Sequence, residues 1–301
     1  FDDLADQTVS ATTTDDDVPG FTIVETDGST EVDESGTTDT FTVVLDAEPT
    51  SDVVLTIASD DTGEATVTNA LTFTSANWDT PQTVTVTGAD EYIIDGTITS
   101  TITVAVDDAS SDNNFDDLAD QTVSATTTDD DVAGFTIVET DGSTEVDESG
   151  TTDTFTIVLN AEPTNDVVVL ATDSNDEGEA TISGSVTFTS ADWDTPQTIT
   201  VTGVDDSIVD GDQISTITIS VVETISDDDF DSVADETVSA TTTDDDVAGF
   251  TIVETDGSTE VDESGTTDTF TVVLDAEPAS DVVLTITSDD TGEATVNSPL
   301  T

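Results

Sequence analysis

The sequence predicts an all-β chain made of tandem seven-stranded antiparallel sandwiches of immunoglobulin-like type in a linear array. Three observations carry that reading. Segments such as Thr83-Val84-Thr85-Val86-Thr87 and Ile98-Thr99-Ser100-Thr101-Ile102-Thr103-Val104 alternate apolar residues with Thr or Ser, the two-residue period of a half-buried strand. β-Branched residues dominate these segments, and apolar residues nowhere recur at helical spacing over a useful length. Finally, the string FDDLADQTVSATTTDDDV stands at Phe1 and Phe115, with a variant at Phe230, giving periods of 114 and 115 residues. Gly20 to Thr42 matches Gly134 to Thr156 without a difference, which is the mark of tandem copies.

Within one repeat, clusters of Gly, Pro, Asp and Asn divide the chain into seven strands. Strand A starts at Phe21 and runs to Glu25 or on to Val32, B covers Thr40 to Leu45, and C covers Val53 to Ala58. D follows over Ala65 to Thr74, E over Thr83 to Thr87, F over Thr97 to Val106 and G over Thr122 to Thr128. Antiparallel succession then places every second loop at the same end. One end, called here the upper pole, collects Asp33-Glu34-Ser35-Gly36, Asp60-Asp61-Thr62-Gly63-Glu64, Asp90-Glu91-Tyr92-Ile93-Ile94-Asp95 and Asp129-Asp130-Asp131. Four acidic segments distant in sequence thus converge, and their mutual repulsion costs several kcal/mol, on the order of 1 to 4 per close pair, unless cations sit among them. Trp78 and Trp193, beside Pro81 and Pro196, are expected to plug the opposite, lower end. Glu25 and Glu139 are expected to point to solvent.

Cutting after the Asp triplets divides the chain into residues 1–17, the last strand of a preceding repeat, two whole repeats at 18–131 and 132–246, and the first part of a further repeat at 247–301. The chain therefore begins and ends inside repeats, as expected of a segment of a longer polypeptide or of ends completed by neighbouring chains.

Composition restricts the chemistry. The 301 residues include 71 Asp and Glu, no Lys or Arg, no His and no Cys, for a formal net charge of -71. Counterion release to DNA or RNA needs Lys or Arg, so nucleic-acid binding is excluded. The same absence excludes a polybasic membrane patch, and the longest apolar run, Val167 to Ala171, is far too short for direct membrane insertion. Without Cys and His the palette offers no thiolate, no imidazole base and no soft metal ligand. It suits oxygen-ligated hard cations, above all Ca²⁺. An acidic run is ordinarily a solvated face, and an acidic balance is a habit of halophilic proteins. The triplets stand apart because they lie at strand exits where three other acidic loops meet.

Several of these residues resemble the Calx-beta domain, a sandwich module of sodium/calcium exchangers, of one integrin β-subunit and of tandem bacterial surface proteins. The resemblance covers each whole repeat. Val32-Asp33-Glu34-Ser35-Gly36 with Phe41-Thr42-Val43 is similar to the family's opening Glu-x-x-Gly and its following strand. Asp61-Thr62-Gly63-Glu64-Ala65 resembles its Asp-Gly-Thr-Ala loop without the usual Asp-Tyr. Leu71-Thr72-Phe73 through Pro81 to Val86 resembles its Phe-x-Pro-Gly…Ile-x-Val stretch, with Asn77-Trp78-Asp79 at the turn. Asp90 to Asp95 and Asp129 to Asp131 resemble its acidic run and terminal triplet. By position the resemblance implies calcium ligands at Glu34, Asp61, Asp90, Glu91, Asp95, Asp129, Asp130 and Asp131 in the first repeat. In the second it implies Glu148, Asp176, Asp205, Asp206, Asp210, Asp244, Asp245 and Asp246. The flanking parts contribute Asp15, Asp16 and Asp17, and Glu263 and Asp290. A late carboxylate of the family's acidic run falls on Ile98 and Gln213, so one of its calcium positions is expected to be weakened or lost.

The linkers are short: Val132-Ala133-Gly134 separates Asp131 from Phe135. Calcium at the triplet is expected to neutralise the joint between repeats and stiffen the array. The resulting expectation is a structural spacer of an extracellular filament or giant surface adhesin, with calcium ions, neighbouring repeats and further copies of the chain as partners. Millimolar calcium outside cells would fill such sites, and a chain without Lys or Arg offers no tryptic cleavage point. The alternative is a calcium sensor or sink, including mineral nucleation. An enzyme using paired carboxylates is not expected, because the acids lie on loop tips and no cation is present to position a substrate.

Overall fold

The computed structural model describes residues 5–14, 16–68, 70–173 and 178–301. Two compact units emerge, residues 1–131 and Val132–Thr301.

In the first unit, strands β1 (Phe21–Glu25), β3 (Thr38–Leu45), β7 (Gln82–Gly88) and β5 (Ala65–Val67) form one sheet in the order β1-β3-β7-β5. The second sheet has the order β2-β9-β8-β4-β6, from β2 (Thr30–Asp33), β9 (Gln121–Thr128), β8 (Ile98–Val106), β4 (Val53–Ser59) and β6 (Ala70–Phe73). The alternation in sequence decides which side of each sheet becomes core. On β3 and β7 the register pairs Thr40 with Thr85 and Thr42 with Thr83 on the outer side, and Phe41 with Val84 on the inner side. Phe41, Val43, Val84 and Val86 are fully buried, and Leu55, Phe73, Ile102, Val104 and Phe115 meet them from the other sheet and the lower loop. Burying one such side chain contributes about 1.5–3 kcal/mol, so the sandwich is held by its Thr-Val alternation rather than by charge.

Two of the seven expected strands are divided. Strand A breaks at Asp27-Gly28, both at positive φ (57° and 93°), a left-handed turn that Gly and Asp tolerate. Before the break β1 pairs antiparallel with β3; after it β2 crosses to the other sheet and pairs parallel with β9, Thr30 to Ala125 through Asp33 to Thr128. Strand D divides likewise, β5 pairing with β7 and β6 with β4. Among the described residues each sandwich therefore has nine strands and one parallel pair. Both halves of a divided strand keep their direction, so the loops still gather as parity requires.

The second unit repeats this arrangement. Its first sheet is β10-β12-β16-β14, from β10 (Phe135–Glu139), β12 (Thr152–Leu159), β16 (Gln197–Gly203) and β14 (Ala180–Ile182). Its second is β11-β18-β17-β13-β15, from β11 (Thr144–Asp147), β18 (Glu236–Thr243), β17 (Gln213–Val221), β13 (Val167–Asp173) and β15 (Ser185–Phe188). Beyond it, β19 (Phe250–Glu254) pairs with β20 (Phe270–Leu274).

The lower pole is closed by side chains that accept backbone hydrogen bonds. Asp112 is 4 % exposed; one carboxylate oxygen accepts from Thr50 N and Thr50 Oγ1 at 2.6 Å each and from Ser51 N at 3.0 Å, the other from Asn114 N at 3.0 Å. The Thr50 hydroxyl, then the Asn114 N–H, hold its pKa down at about 2. Asp227 is its counterpart in the second unit, bonded by Thr164 Oγ1, Asn165 N and Asp229 N. Burial there acts upward, but these donors outweigh it and the pKa is lowered. Trp78 packs partly buried against the first core, and its carbonyl accepts from Leu45 N–H at 3.1 Å; the Trp193 carbonyl does the same for Leu159.

Candidate metal centre

At the upper pole the backbone drives one carboxylate inward. β2 ends at Asp33, and its carbonyl lies so close to β7 that a Cβ on Gly88 would stand 2.0 Å from Asp33 O. Only glycine permits that approach. Gly203 plays the same part against Asp147 O, at 2.2 Å. The next residue, Glu34 or Glu148, is thereby tucked under the pole at 0 % and 1 % exposure.

Neither carboxylate oxygen of Glu34 has a hydrogen-bond partner. Around it stand two groups of acids whose oxygens lie within 4.8 Å of one another: Glu34 with Glu64, Glu91 and Asp95, and Glu34 with Asp129 and Asp131. In the second repeat the groups are Glu148 with Glu179 and Asp206, and Glu148 with Asp244 and Asp246. One buried glutamate is thus common to two acidic groups in each repeat. Glu148 accepts one long bond, 3.3 Å, from Asp245 N–H.

The loops are tied by their own backbone. Asp129 Oδ2 accepts from Asp95 N at 3.1 Å and Gly96 N at 2.8 Å, and Asp129 Oδ1 from Asp131 N at 2.8 Å. Asp244 likewise accepts from Gly211 N at 2.7 Å and Asp246 N at 2.8 Å. These bonds fix the exit of the last strand against the acidic run and leave other oxygens facing the centre, among them Asp131 Oδ2 and Asp246 Oδ2, which are buried without a donor.

The electrostatics follow from that crowding. Burial first, then the Asp129 carboxylate, pushes the Glu34 pKa up to about 7, with only the approach of the Asp130 N–H acting downward. Burial, then Asp95 and Glu64, pushes Glu91 up to about 7. Glu64, Asp95, Asp131, Glu148 and Asp246 are all raised, burial being the first cause in each. Two charges within 4.8 Å of one another repel by at least about 3.5 kcal/mol at an effective dielectric near 20. Such groups either take up protons or hold cations.

The donor set fits a hard divalent cation. Oxygens on opposite sides of a Ca²⁺ ion at 2.3–2.6 Å are about 4.6–5.2 Å apart, whereas Mg²⁺ at 2.0–2.1 Å draws them to about 4.2 Å. Oxygens that lie within 4.8 Å of one another can close round either ion, and a set of three or four carboxylates suits the larger, all-oxygen shell of Ca²⁺. Glu34, Glu64, Glu91 and Asp95 would hold one ion and Glu34, Asp129 and Asp131 a second, the backbone carbonyls and water completing the shell.

Of the positions expected from sequence, the structure brings together Glu34, Glu91, Asp95, Asp129 and Asp131, and in the second repeat Glu148, Asp206, Asp244 and Asp246. Asp61, Asp90, Asp130, Asp205, Asp210 and Asp245 belong to no such group among the described residues. Asp61 instead closes its own turn, accepting from Gly63 N at 3.0 Å. In the flanking parts Asp16, Asp17 and Glu263 are exposed, and Asp290 bonds Gly292 N at 3.0 Å; none joins a group. Asp15 and Asp176 lie outside the described residues. Glu64 and Glu179 were not anticipated, although both are buried and central to the groups. Their signal is internal: Gly-Glu-Ala-Thr stands at Gly63, Gly178 and Gly292, and it persists in the second repeat, where the residues before it change.

No protein-family profile matches the sequence, and no curated protein matches it. Among solved structures, CBD12 from CALX1.2 is similar at 15 % identity over 65 % of this chain and 79 % of that one, with a TM-score of 0.27. The calcium binding domain CBD12 of CALX1.1 is similar at 12 % identity over 66 % and 79 %, TM-score 0.27. Domains 5–6 of the S-layer protein SbsC are similar at 19 % identity over 75 % and 99 %, TM-score 0.25. At such scores these likenesses say nothing about individual residues, and the chemistry of the pole rests on its own geometry. Among the described residues no helix is long and apolar enough to cross a membrane.

Proposed function

We propose that this chain is a structural, calcium-rigidified repeat segment of an extracellular filament or giant surface adhesin, acting as a spacer with no enzymatic step. The observation that supports it is the pair of buried glutamates, Glu34 and Glu148, each common to two acidic groups, the first accepting no hydrogen bond and the second a single long one. Such a pole is complete only with cations, and a site built twice in near-identical copies suits repetition for length. In this reading millimolar external calcium fills the poles, neutralises them and stiffens consecutive repeats. A sensor would need a change of shape around micromolar calcium instead. The test is unfolding of the full chain across a calcium titration, with magnesium and sodium as controls. Ligand binding to the native state alone stabilises by about 4 kcal/mol at a thousandfold excess over Kd. A stabilisation specific to calcium and saturating near millimolar is expected, with a greater maximum dimension in small-angle scattering than in chelator. Equal stability in sodium would reduce the acids to a halophilic surface.

A further inference from the structure

We propose that the loop from Asp205 to Asp210 couples cation binding in the second repeat to that repeat's hold on residues 247–301. The inference rests on the calcium reading above and adds to it the contact through which stiffness is transmitted.

The loop belongs to two things at once. Its Asp206 carboxylate stands in the buried group with Glu148 and Glu179, and the same side chain accepts the N–H of Ile208 at 2.7 Å. Ile208 then forms a parallel bridge with Glu277, in the turn that follows β20. There the Glu277 N–H donates to the Ser207 carbonyl at 2.5 Å. Val209, next in the loop, lines an apolar cavity with Phe250, Leu274, Ala276 and Pro278. A single run of four residues, Asp206 to Val209, therefore reaches from a buried acidic group to the backbone and apolar lining of the next repeat.

The sequence agrees with a docking role. A solvated acidic loop has no use for β-branched apolar residues, yet an apolar pair stands mid-loop in both whole repeats, Ile93-Ile94 and Ile208-Val209. The contact is also electrostatically awkward: a loop that carries Asp205, Asp206 and Asp210 meets, through Ser207 and Ile208, a turn that carries Glu277, with no positive side chain in the chain to offset them. Like charges brought together in this way repel unless a cation intervenes. With the cation present, Asp206 is fixed as a ligand, the Ile208 N–H stays bonded to it, and Ser207 presents its carbonyl to Glu277. With the cation removed, Asp206 is repelled by Glu148 and Glu179, the Ile208 N–H loses its acceptor, and the bridge to Glu277 opens.

The absence of cysteine makes the test direct. Thr198→Cys on β16 and Thr271→Cys on β20, both exposed, accept spin labels in the full chain, and their distance distribution is measured in calcium and in chelator while calorimetry on the same sample counts bound calcium. Calcium is expected to narrow the distribution at least twofold. Glu277→Pro removes the donor on the far side of the contact; it should leave calcium uptake within twofold of the parent and keep the distribution broad in calcium. Val209→Asp, which adds a like charge at the cavity, should do the same. Asp206→Asn should shift the narrowing to about tenfold more calcium. Narrowing in Glu277→Pro and Val209→Asp equal to the parent's would overturn the coupling, as would calcium binding without any narrowing in the parent. Failure of calcium to bind at all would end the calcium reading itself.

Discussion

Two buried acids at opposite ends of one sandwich, Asp112 and Glu34, received opposite treatment. Both are almost without exposure. Asp112 is met by four donors from Thr50, Ser51 and Asn114, and its pKa falls to about 2. Glu34 is met by other carboxylates, chiefly Asp129, and burial with that repulsion lifts it to about 7. An acid whose charge is satisfied by the protein is part of the scaffold. An acid buried at comparable depth with its oxygens unpartnered is left for something from solution to satisfy, and the contrast marks which pole is architecture and which is the candidate binding site.

The contrast can be broken first at its stable end. Asp112→Ala strands three backbone N–H groups in a buried corner, and each unsatisfied donor costs about 1–3 kcal/mol; a loss of about 3 kcal/mol is expected in denaturant unfolding, equal with and without calcium. Glu34→Gln should behave in the reverse sense. In chelator it relieves repulsion and stabilises the first repeat by about 1–2 kcal/mol. In calcium the same change removes the shared ligand and most of the calcium-induced stabilisation, so the sign of the mutational effect should invert between the two conditions. If Glu34→Gln destabilises alike in both, the buried acid has a structural partner and the comparison fails.

Acid sharpens the contrast without mutation. Glu34 and Glu91 bind protons more tightly folded than unfolded, so between the ordinary value of 4.5 and about 7 the native state holds the extra protons. Unfolding free energy in chelator should therefore fall as pH rises through that window. For Asp112 the folded value is depressed from 3.8 to about 2; its contribution is present above 3.8 and lost as pH falls towards 2. Calcium-free stability should thus pass through a maximum in mildly acidic solution, and saturating calcium should move that maximum above pH 7. The smallest expected effect is at the loop tips: Asp90→Asn and Asp210→Asn, outside the acidic groups, should change stability by no more than about 0.5 kcal/mol and calcium affinity by less than threefold.

The second repeat offers a milder contrast. Where the first groups Glu34 with three further acids, the second, among the described residues, groups Glu148 with Glu179 and Asp206. The shorter Asp206 stands at the place of Glu91 and has turned one oxygen to Ile208 N–H. The two acidic loops thus differ at the acid itself, Glu91 against Asp206, by one methylene.

What could be read from sequence was what repeats every two residues. The alternation in Thr83 to Thr87 or Ile98 to Val104 survives into the pairing, because one face must be buried and a slip of one residue would reverse it. Phe21 to Val32 conceals its break for the same reason: the apolar pattern continues on both sides, and only Asp27-Gly28 betrays a change of sheet. The site was legible as a pole but not residue by residue. Parity gathers loops, whereas membership of the acidic groups depends on which side chains turn inward, and that is set by close approaches such as Asp33 against Gly88. Glu64 is drawn in beside the first core residue of β5, while Asp61, three residues earlier, closes its own turn. Asp112 gave no signal beyond its place three residues before Phe115, a spacing that Asp227 and Phe230 repeat.

The crossing of β2 bears on how such a chain would respond to being pulled. β2 and β9 stand near the two ends of the repeat's sequence, run parallel and are paired over four positions. Tension applied along the chain would load these strands in shear, so their hydrogen bonds must yield together rather than one at a time. Glu34 follows β2 directly and Asp129 follows β9 directly, and their oxygens fall in one acidic group. A cation held between them would rivet the two strands at the point where force enters, which makes the mechanical strength of each link adjustable by the ionic content of the surrounding water.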